Sequence, residues 1–207
     1  MNSRNIKEEK TKLIKNTILE AAKEIVEESG FKKLSIRKLA KKVGYSPGNI
    51  YQYFDSKDQI IKELVQKGYK EIIKSLSLEK EKFPNVEAEI KMKFRKYIES
   101  ALKNKHYYKS VMLSSDQDIL DLTSILNINH RNDNLALKKL EILLKKGQKT
   151  GEFRNIDAQI QAQLIWTATF GLVIRMILEK ITDENKQNEL IKNHFNLLFK
   201  GIKKDGV

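Results

Sequence analysis

The stretch Ser35–Lys57, SIRKLAKKVGYSPGNIYQYFDSK, packs three helix starts into a short span. Ser35 is placed to cap a first helix whose apolar residues Ile36, Leu39, Ala40 and Val43 fall at three- and four-residue steps, and so on one face. Gly44 ends it, because glycine accepts the left-handed conformation that helix termini favour. Ser46-Pro47 then restarts the chain: serine caps, and proline at the first helical position lacks an amide hydrogen that would have had no partner. The pattern predicts a second helix over Pro47–Phe54. Ser56-x-x-Gln59 is a capping box that predicts a third, with the serine and glutamine side chains each satisfying an orphaned amide. Two short helices joined by a tight turn form a helix-turn-helix.

The chemistry of this stretch points to nucleic acid. From Ser29 to Phe54 the chain carries Lys32, Lys33, Arg37, Lys38, Lys41 and Lys42 and no acidic residue, which predicts a surface that attracts phosphates. In the second helix Ile50 and Phe54, one turn apart, are placed to anchor it to a core. That leaves Ser46, Gly48, Asn49, Gln52 and the hydroxyls of Tyr51 and Tyr53 for an outside partner. Asn and Gln pair bidentately with adenine, Ser and Tyr donate to phosphate oxygens, and Gly48 keeps no side chain between backbone and ligand.

GYSPGNIYQYFDSKDQIIKEL, with the preceding SGFKKLSIRKLAKKV, resembles the DNA-binding domain of the tetracycline-repressor (TetR) family of transcriptional regulators. Gly30, Phe31, Ser35, Ile36, Leu39, Ala40, Val43, Gly44, Ser46, Gly48, Tyr51, Phe54 and Lys57 carry the likeness. Tyr45, where the family more often has a small aliphatic, and Asn49, where it more often has Thr or Ala, depart from it. The resemblance implies an all-α protein: an N-terminal three-helix DNA-binding head, then a C-terminal helical ligand-binding and dimerisation domain. It implies a division at 1–58 and 59–207, or a head of about 11–71 if the start of the fourth helix is included. Ser35, Arg37, Lys38, Ser46, Pro47, Gly48, Asn49, Tyr51, Gln52, Tyr53 and Lys57 are the expected DNA contacts.

The whole-chain net charge of +13 says less than the local acid-free run. Residues Met1–Ile60 hold 13 Lys and Arg against 8 Asp and Glu, so most of the excess is spread over the remainder as lysine. The absence of cysteine removes disulfides and thiolate chemistry and suits a reducing cytoplasm. The charged start MNSRNIKEEK has no apolar h-region, so no secretory signal is expected. The most apolar window, Leu164–Leu178, is interrupted by Arg175 and falls short of the ~20 residues of a membrane span. Two prolines and nine glycines in 207 residues predict a mostly helical chain.

Apolar periodicity predicts a first helix over Thr11–Ser29, with Arg4, Lys7, Lys10 and Lys12 before it as a frayed terminus or a phosphate-reaching arm. A fourth helix runs to about Ser75 and breaks before Phe83-Pro84. Further helices are expected over Val86–Asn104, His106–Leu113, Asp118–Lys146, Asp157–Lys180 and Asp183–Lys203, with Gly147–Arg154 as the clearest break. Leu164, Ala168 and Leu172 lie on one face of the penultimate helix, and Leu190, Ile191, Phe195, Leu198 and Phe199 form a broad stripe on the last. Pairing of these stripes with a second copy in a four-helix bundle and burial within one chain are both open.

By the family resemblance Phe94, Tyr97, Tyr107, Tyr108, Met112, Trp166 and Phe170 surround an effector pocket, although each also reads as ordinary core. The implied partners are a near-palindromic duplex operator, a second copy of the chain and a small, largely apolar effector that releases a repressor from DNA. No cofactor, metal or membrane partner is expected. His106, His130 and His194 show no zinc spacing, and Asp116, Asp118 and Asp121 lack the frame of a calcium loop. With neither a nucleophile elbow nor a phosphate-cradling glycine loop, the chain reads as a regulator and not an enzyme. The alternative is a helical protein-interaction module whose helix-turn-helix is structural.

Overall fold

Low proline and glycine content is realised as a chain of helices with no β-strand beyond one isolated bridge among the described residues. The structure is a computed structural model and describes residues 3–74, 82–121 and 135–204. In order the helices are α1 (Ser3–Ser29), α2 (Ile36–Val43), α3 (Pro47–Tyr51), α4 (Lys57–Lys74), α5 (Val86–Lys103), α6 (Lys105–Met112), α7 (Gln117–Asp121), α8 (Leu135–Lys149), α9 (Ala158–Leu178) and α10 (Glu184–Lys200). A single 3-10 turn, Phe31–Lys33, links α1 to α2. Residues 122–134 of the helix expected over Asp118–Lys146, including His130, lie outside the described residues.

Three boundaries differ from the sequence expectation for local reasons. Helix α1 begins at Ser3 and not Thr11, because Thr11 does not cap: its hydroxyl donates back to the Lys7 carbonyl at 2.9 Å, inside a continuing helix. Helix α3 stops at Tyr51, since the amides of Tyr53 and Phe54 both turn onto the Ile50 carbonyl at 3.0 and 3.1 Å and swing Phe54 inward. Helix α8 runs through Gly147 to Lys149, so the break starts at Thr150.

The chain divides into two compact units, one of Met1–Lys70 with His106–Thr123, the other of Glu71–Lys105 with Ser124–Val207. The first unit's core joins Ile18, Ala22 and Ile25 of α1, Leu39 and Ala40 of α2, Ile50, Phe54, and Ile60, Leu64 and Val65 of α4. It also contains Tyr107 and Val111 of α6 and Ile119 of α7. The Tyr107 hydroxyl donates to the Leu64 carbonyl at 2.8 Å, and its ring lies against the bare backbone of Gly68, where a Cβ would overlap the ring.

In the second unit α5 packs on α8, α9 and α10, and α9 packs on α8 and α10. Asn85 caps α5 through Ala88 N at 2.8 Å, while the Glu152 carboxylate accepts from the amides of Val86 and Glu87 at 2.9 and 2.8 Å. Negative charge at a helix N-terminus is stabilising, so the loop after α8 closes the start of α5. That loop also holds the segment just after α10, through Arg154 N to Ile202 O at 2.9 Å and the Phe153–Lys203 bridge.

Helix α9, at 21 residues, is longer than its apolar window suggested and meets the length and composition of a membrane span. It is placed as a core helix: Ala162, Ile165, Trp166, Val173 and Met176 are buried against its neighbours.

Candidate nucleic-acid interface

Helices α2 and α3 form the expected helix-turn-helix. Ser35 Oγ accepts from Lys38 N at 3.2 Å and Ser46 Oγ from Asn49 N at 3.2 Å, so both serines cap as their positions suggested. Between the helices Gly44 takes a left-handed conformation at φ 73°, and Tyr45 N closes the turn on Ala40 O at 2.8 Å. Each capping oxygen is used as an acceptor, which leaves its hydroxyl hydrogen to donate outward.

Ile50 and Phe54 are fully buried and fix α3 to the core. Ser46, Pro47, Gly48, Asn49, Tyr51 and Gln52 are exposed, with Tyr51 at 53%. Tyr53, expected alongside them, is half-buried and packs on the core, as does Tyr45. The short helix and its C-cap Gln52 therefore leave two amides, one phenol and bare backbone exposed.

The turn into α4 is held by a network that the capping box only half anticipated. Gln59 N donates to Ser56 Oγ at 3.1 Å, but Gln59 Oε1 accepts from Asp55 N at 2.6 Å, one residue before the expected amide. Gln59 Nε2 donates to Glu63 at 3.0 Å, Glu63 lies 3.9 Å from Lys15 of α1, and the Lys15 ammonium sits 4.9 Å above the Phe54 ring. This chain of contacts fixes the first turn of α4, where Lys57 is exposed.

The basic run divides into free and committed cations. Lys32, Lys33, Arg37, Lys38 and Lys41 are exposed, and Lys38 makes one bond, to the neutral Ser29 hydroxyl at 3.1 Å. Lys42 is a correction to the picture of an acid-free surface. Its ammonium meets Glu24 at 2.8 Å and Glu28 at 3.3 Å, both from α1. The hydrogen bond to Glu24 outweighs partial desolvation and, with Glu28, holds the Lys42 pKa above the usual lysine value. Acidic partners remote in sequence were invisible in the local run.

The residues expected around an effector are divided between the two units. Phe94, Tyr97 and Trp166 form a packed aromatic cluster with Phe195 in the second unit: Phe94–Trp166 centroids are 5.8 Å apart, Tyr97–Trp166 5.1 Å and Phe94–Phe195 6.1 Å. Phe170 is half-buried and Tyr108 is buried. Tyr107 and Met112 belong instead to the core of the first unit. Gly68 was the signal that could have placed Tyr107, since an isolated glycine within a strong helix usually marks a close packing contact.

The expected dimer residues also separate. Ile191, Phe195 and Phe199 are 1–3% exposed and are core of a single chain, so their side chains do not face a partner. Leu164 is exposed at 56%, and Ala168, Leu172, Leu190 and Leu198 are half-buried. Ile160 and Leu178 of α9 and Leu197 of α10, at 53, 41 and 76%, extend the exposed apolar surface. His194 of α10 is half-buried there, with Nε2 3.0 Å from the Thr169 hydroxyl. Because that hydroxyl already donates to Ile165 O at 2.8 Å, Nε2 carries the hydrogen and donates.

Among the described residues no group of three or more His, Cys, Asp or Glu side chains is placed to hold a metal.

Comparison with known proteins matches residues 18–64 to the family model described as bacterial regulatory proteins, tetR family. The chain is 26% identical over 199 residues to the fatty acid metabolism regulator protein of Bacillus subtilis (strain 168), covering 89% of this chain and 93% of that one. It is 24% identical over 191 residues to the HTH-type transcriptional regulator QacR of Staphylococcus aureus (strain Mu50 / ATCC 700699), covering 90% and 96%. Its fold is shared with the crystal structure of the transcriptional regulator FadR from Bacillus subtilis in complex with stearoyl-CoA, at a TM-score of 0.73 and 20% identity over 90% of this chain and 98% of that one.

Proposed function

We infer that this chain, which belongs to the TetR family of bacterial regulatory proteins, is a repressor that binds a near-palindromic operator as a homodimer and releases it on binding a largely apolar effector. The observation that carries the DNA reading is α3 and its flanks: Ile50 within it and Phe54 just after it are buried, and the exposed side chains of Ser46, Asn49, Tyr51 and Gln52 are suited to base edges or phosphates. In this reading Asn49 and Gln52 read bases. Ser35, Ser46, Tyr51, Arg37, Lys38 and Lys57 grip the backbone, and Pro47 and Gly48 let α3 approach closely. Tyr53, half-buried, contributes its hydroxyl at the edge of the contact.

Two α3 helices reading successive turns of a major groove need two chains. The exposed leucines of α9 and α10 support pairing through that face, since such side chains in water favour an apolar partner. The effector class is the finer part of the inference. The Bacillus subtilis relative is a fatty acid metabolism regulator, and a FadR of that organism was crystallised with stearoyl-CoA. That supports a long-chain acyl compound acting near Phe94, Tyr97, Trp166 and Phe170 in the cytoplasm.

Footprinting of the purified protein on DNA flanking its own gene tests the proposal. A protected near-palindrome, with half-sites about one helical turn or slightly more apart and loss of protection on adding an acyl-CoA, is the expected result. A monomer that retains no duplex DNA at low salt would overturn it.

A further inference from the structure

Helices α5 and α10 leave a groove of about 290 Å³ between them, lined by Lys91, Met92 and Arg95 from α5 and by Lys192, Phe195 and Asn196 from α10. Its floor is apolar, with Phe195 buried and Met92 still 39% exposed. Its rim is cationic, and no carboxylate lines it.

The way the α5 cations are held sets this groove apart from the lysine scattered over the rest of the surface. Arg95 Nη1 donates to the Asn188 amide oxygen at 2.7 Å, and Lys91 Nζ donates to that of Asn196 at 3.2 Å, both across to α10. A neutral amide orients a cation without cancelling its charge, so Arg95 keeps a full positive charge and its remaining N–H donors in a fixed place. Lys91 also meets Glu87 at 2.6 Å, but that carboxylate is shared with Lys203 at 2.7 Å, leaving one net positive charge among the three. Lys192 adds a third rim cation from α10.

We propose that the α5–α10 groove is a binding site for a free, medium-chain organic anion, its phosphate or carboxylate on Arg95, Lys91 and Lys192 and its hydrocarbon over Met92 and Phe195. Guanidinium groups bind both anions bidentately. The apolar floor selects against a bare inorganic ion, since each methylene buried raises affinity about fourfold. The volume lies at the small end of ligand sites and sets a short body. At 100° per residue, Lys192 and Asn196 stand on the flank of α10 opposite Leu190 and Leu197, so an occupant of the groove leaves the exposed leucines free. This site is independent of the repressor reading, and its test needs no DNA.

Calorimetric titration of the full chain with octyl phosphate below its micelle concentration, alongside inorganic phosphate and 1-octanol, tests the proposal. Octyl phosphate should bind once per chain and at least tenfold more tightly than either control. Arg95→Gln and Lys192→Gln should each weaken it at least fivefold with unchanged helicity and melting temperature, and Lys138→Gln on α8 should not. Equal affinity for octanol, affinity no better than inorganic phosphate, or indifference to both groove substitutions would overturn the assignment.

Discussion

Helix α3 of the first unit and helices α9 and α10 of the second differ in what they leave exposed. In the first, Ile50 of α3 is buried and the side chains left outside on the helix and its caps include the hydrogen-bonding groups of Ser46, Asn49, Tyr51 and Gln52. In the second, α9 and α10 bury one apolar face and leave Ile160, Leu164, Leu178 and Leu197 in water. Exposed amides on a rigid short helix suit a polar, directional partner, whereas exposed leucines gain only from a partner that removes them from water. The contrast fits the proposed function, in which one surface would discriminate and the other associate, each needing its partner.

The largest effect should come from breaking the associating surface. Leu164→Lys combined with Leu197→Lys introduces charge where both side chains are already exposed, so the fold should keep its melting temperature. Sedimentation should then show a monomer, and operator affinity should fall at least ~100-fold, because the second head no longer binds at the raised effective concentration of a linked site. A variant that stays dimeric would move the pairing face elsewhere.

The first unit also depends on a segment far along the chain. Gly68→Ala puts a methyl group into the Tyr107 ring and should lower unfolding stability by ~1–3 kcal/mol, as overpacking does. The gain in helix propensity, up to ~1 kcal/mol, offsets part of this. Adding Tyr107→Val should restore part of the loss in a double-mutant cycle. Strict additivity in denaturant melts would show that the close approach of α4 and α6 is not what sets the stability there.

These positions show where the sequence was legible. The helix starts of the head are written in adjacent residues: Ser35, Gly44, Ser46-Pro47 and Ser56 act within a turn of where they stand, so local chemistry determines them. Arg37 and Asn49 were readable for the same reason, with no tertiary partner needed to expose them. Lys42 was not, because its fate is set by Glu24 and Glu28 on another helix. Tyr107 was not, because its hydrogen-bond partner Leu64 in that core lies 43 residues earlier in the chain. The stripe on α10 counts as one surface in the sequence, although Ile191, Phe195 and Phe199 are buried and Leu190 and Leu198 only half-buried. Periodicity alone gives the width of an apolar face and not how much of it a neighbour covers.

Within the discriminating surface, reading and gripping should separate. Asn49→Ala and Gln52→Ala should each cost ~1–3 kcal/mol against particular base pairs and little elsewhere. Lys57→Ala should weaken all sequences alike and reduce the salt slope of binding by about 1. Lys42→Ala supplies the control, because its ammonium is committed to α1. It should leave the salt slope unchanged and cost stability only slightly, as exposed ion pairs do. A drop in slope for Lys42→Ala equal to that for Lys57→Ala would place Lys42 on the DNA and erase the division between free and committed cations.

The smallest effect tests the associating surface through its one half-buried imidazole. Burial disfavours the charged ring and holds the His194 pKa below its usual value, while in the unfolded chain it titrates near the ordinary ~6.5. Between the two values the unfolded state binds more protons, so stability rises with pH in that window and is lost as the solution is acidified through it. The bond to Thr169 does not reverse the sign, because Nε2 donates in both the neutral and the charged ring. His194→Gln keeps a donor within reach of Thr169 and removes the titration. The drop in melting temperature from about pH 7.5 to about pH 5.5 should therefore be smaller in the variant than in the wild type. If pairing through α9 and α10 covers the ring further, that difference should grow with protein concentration, and in the Leu164→Lys, Leu197→Lys background it should not. An acid-induced drop that is the same with histidine or glutamine at this position would assign the pH dependence to other groups and leave the apolar face without a polar reporter.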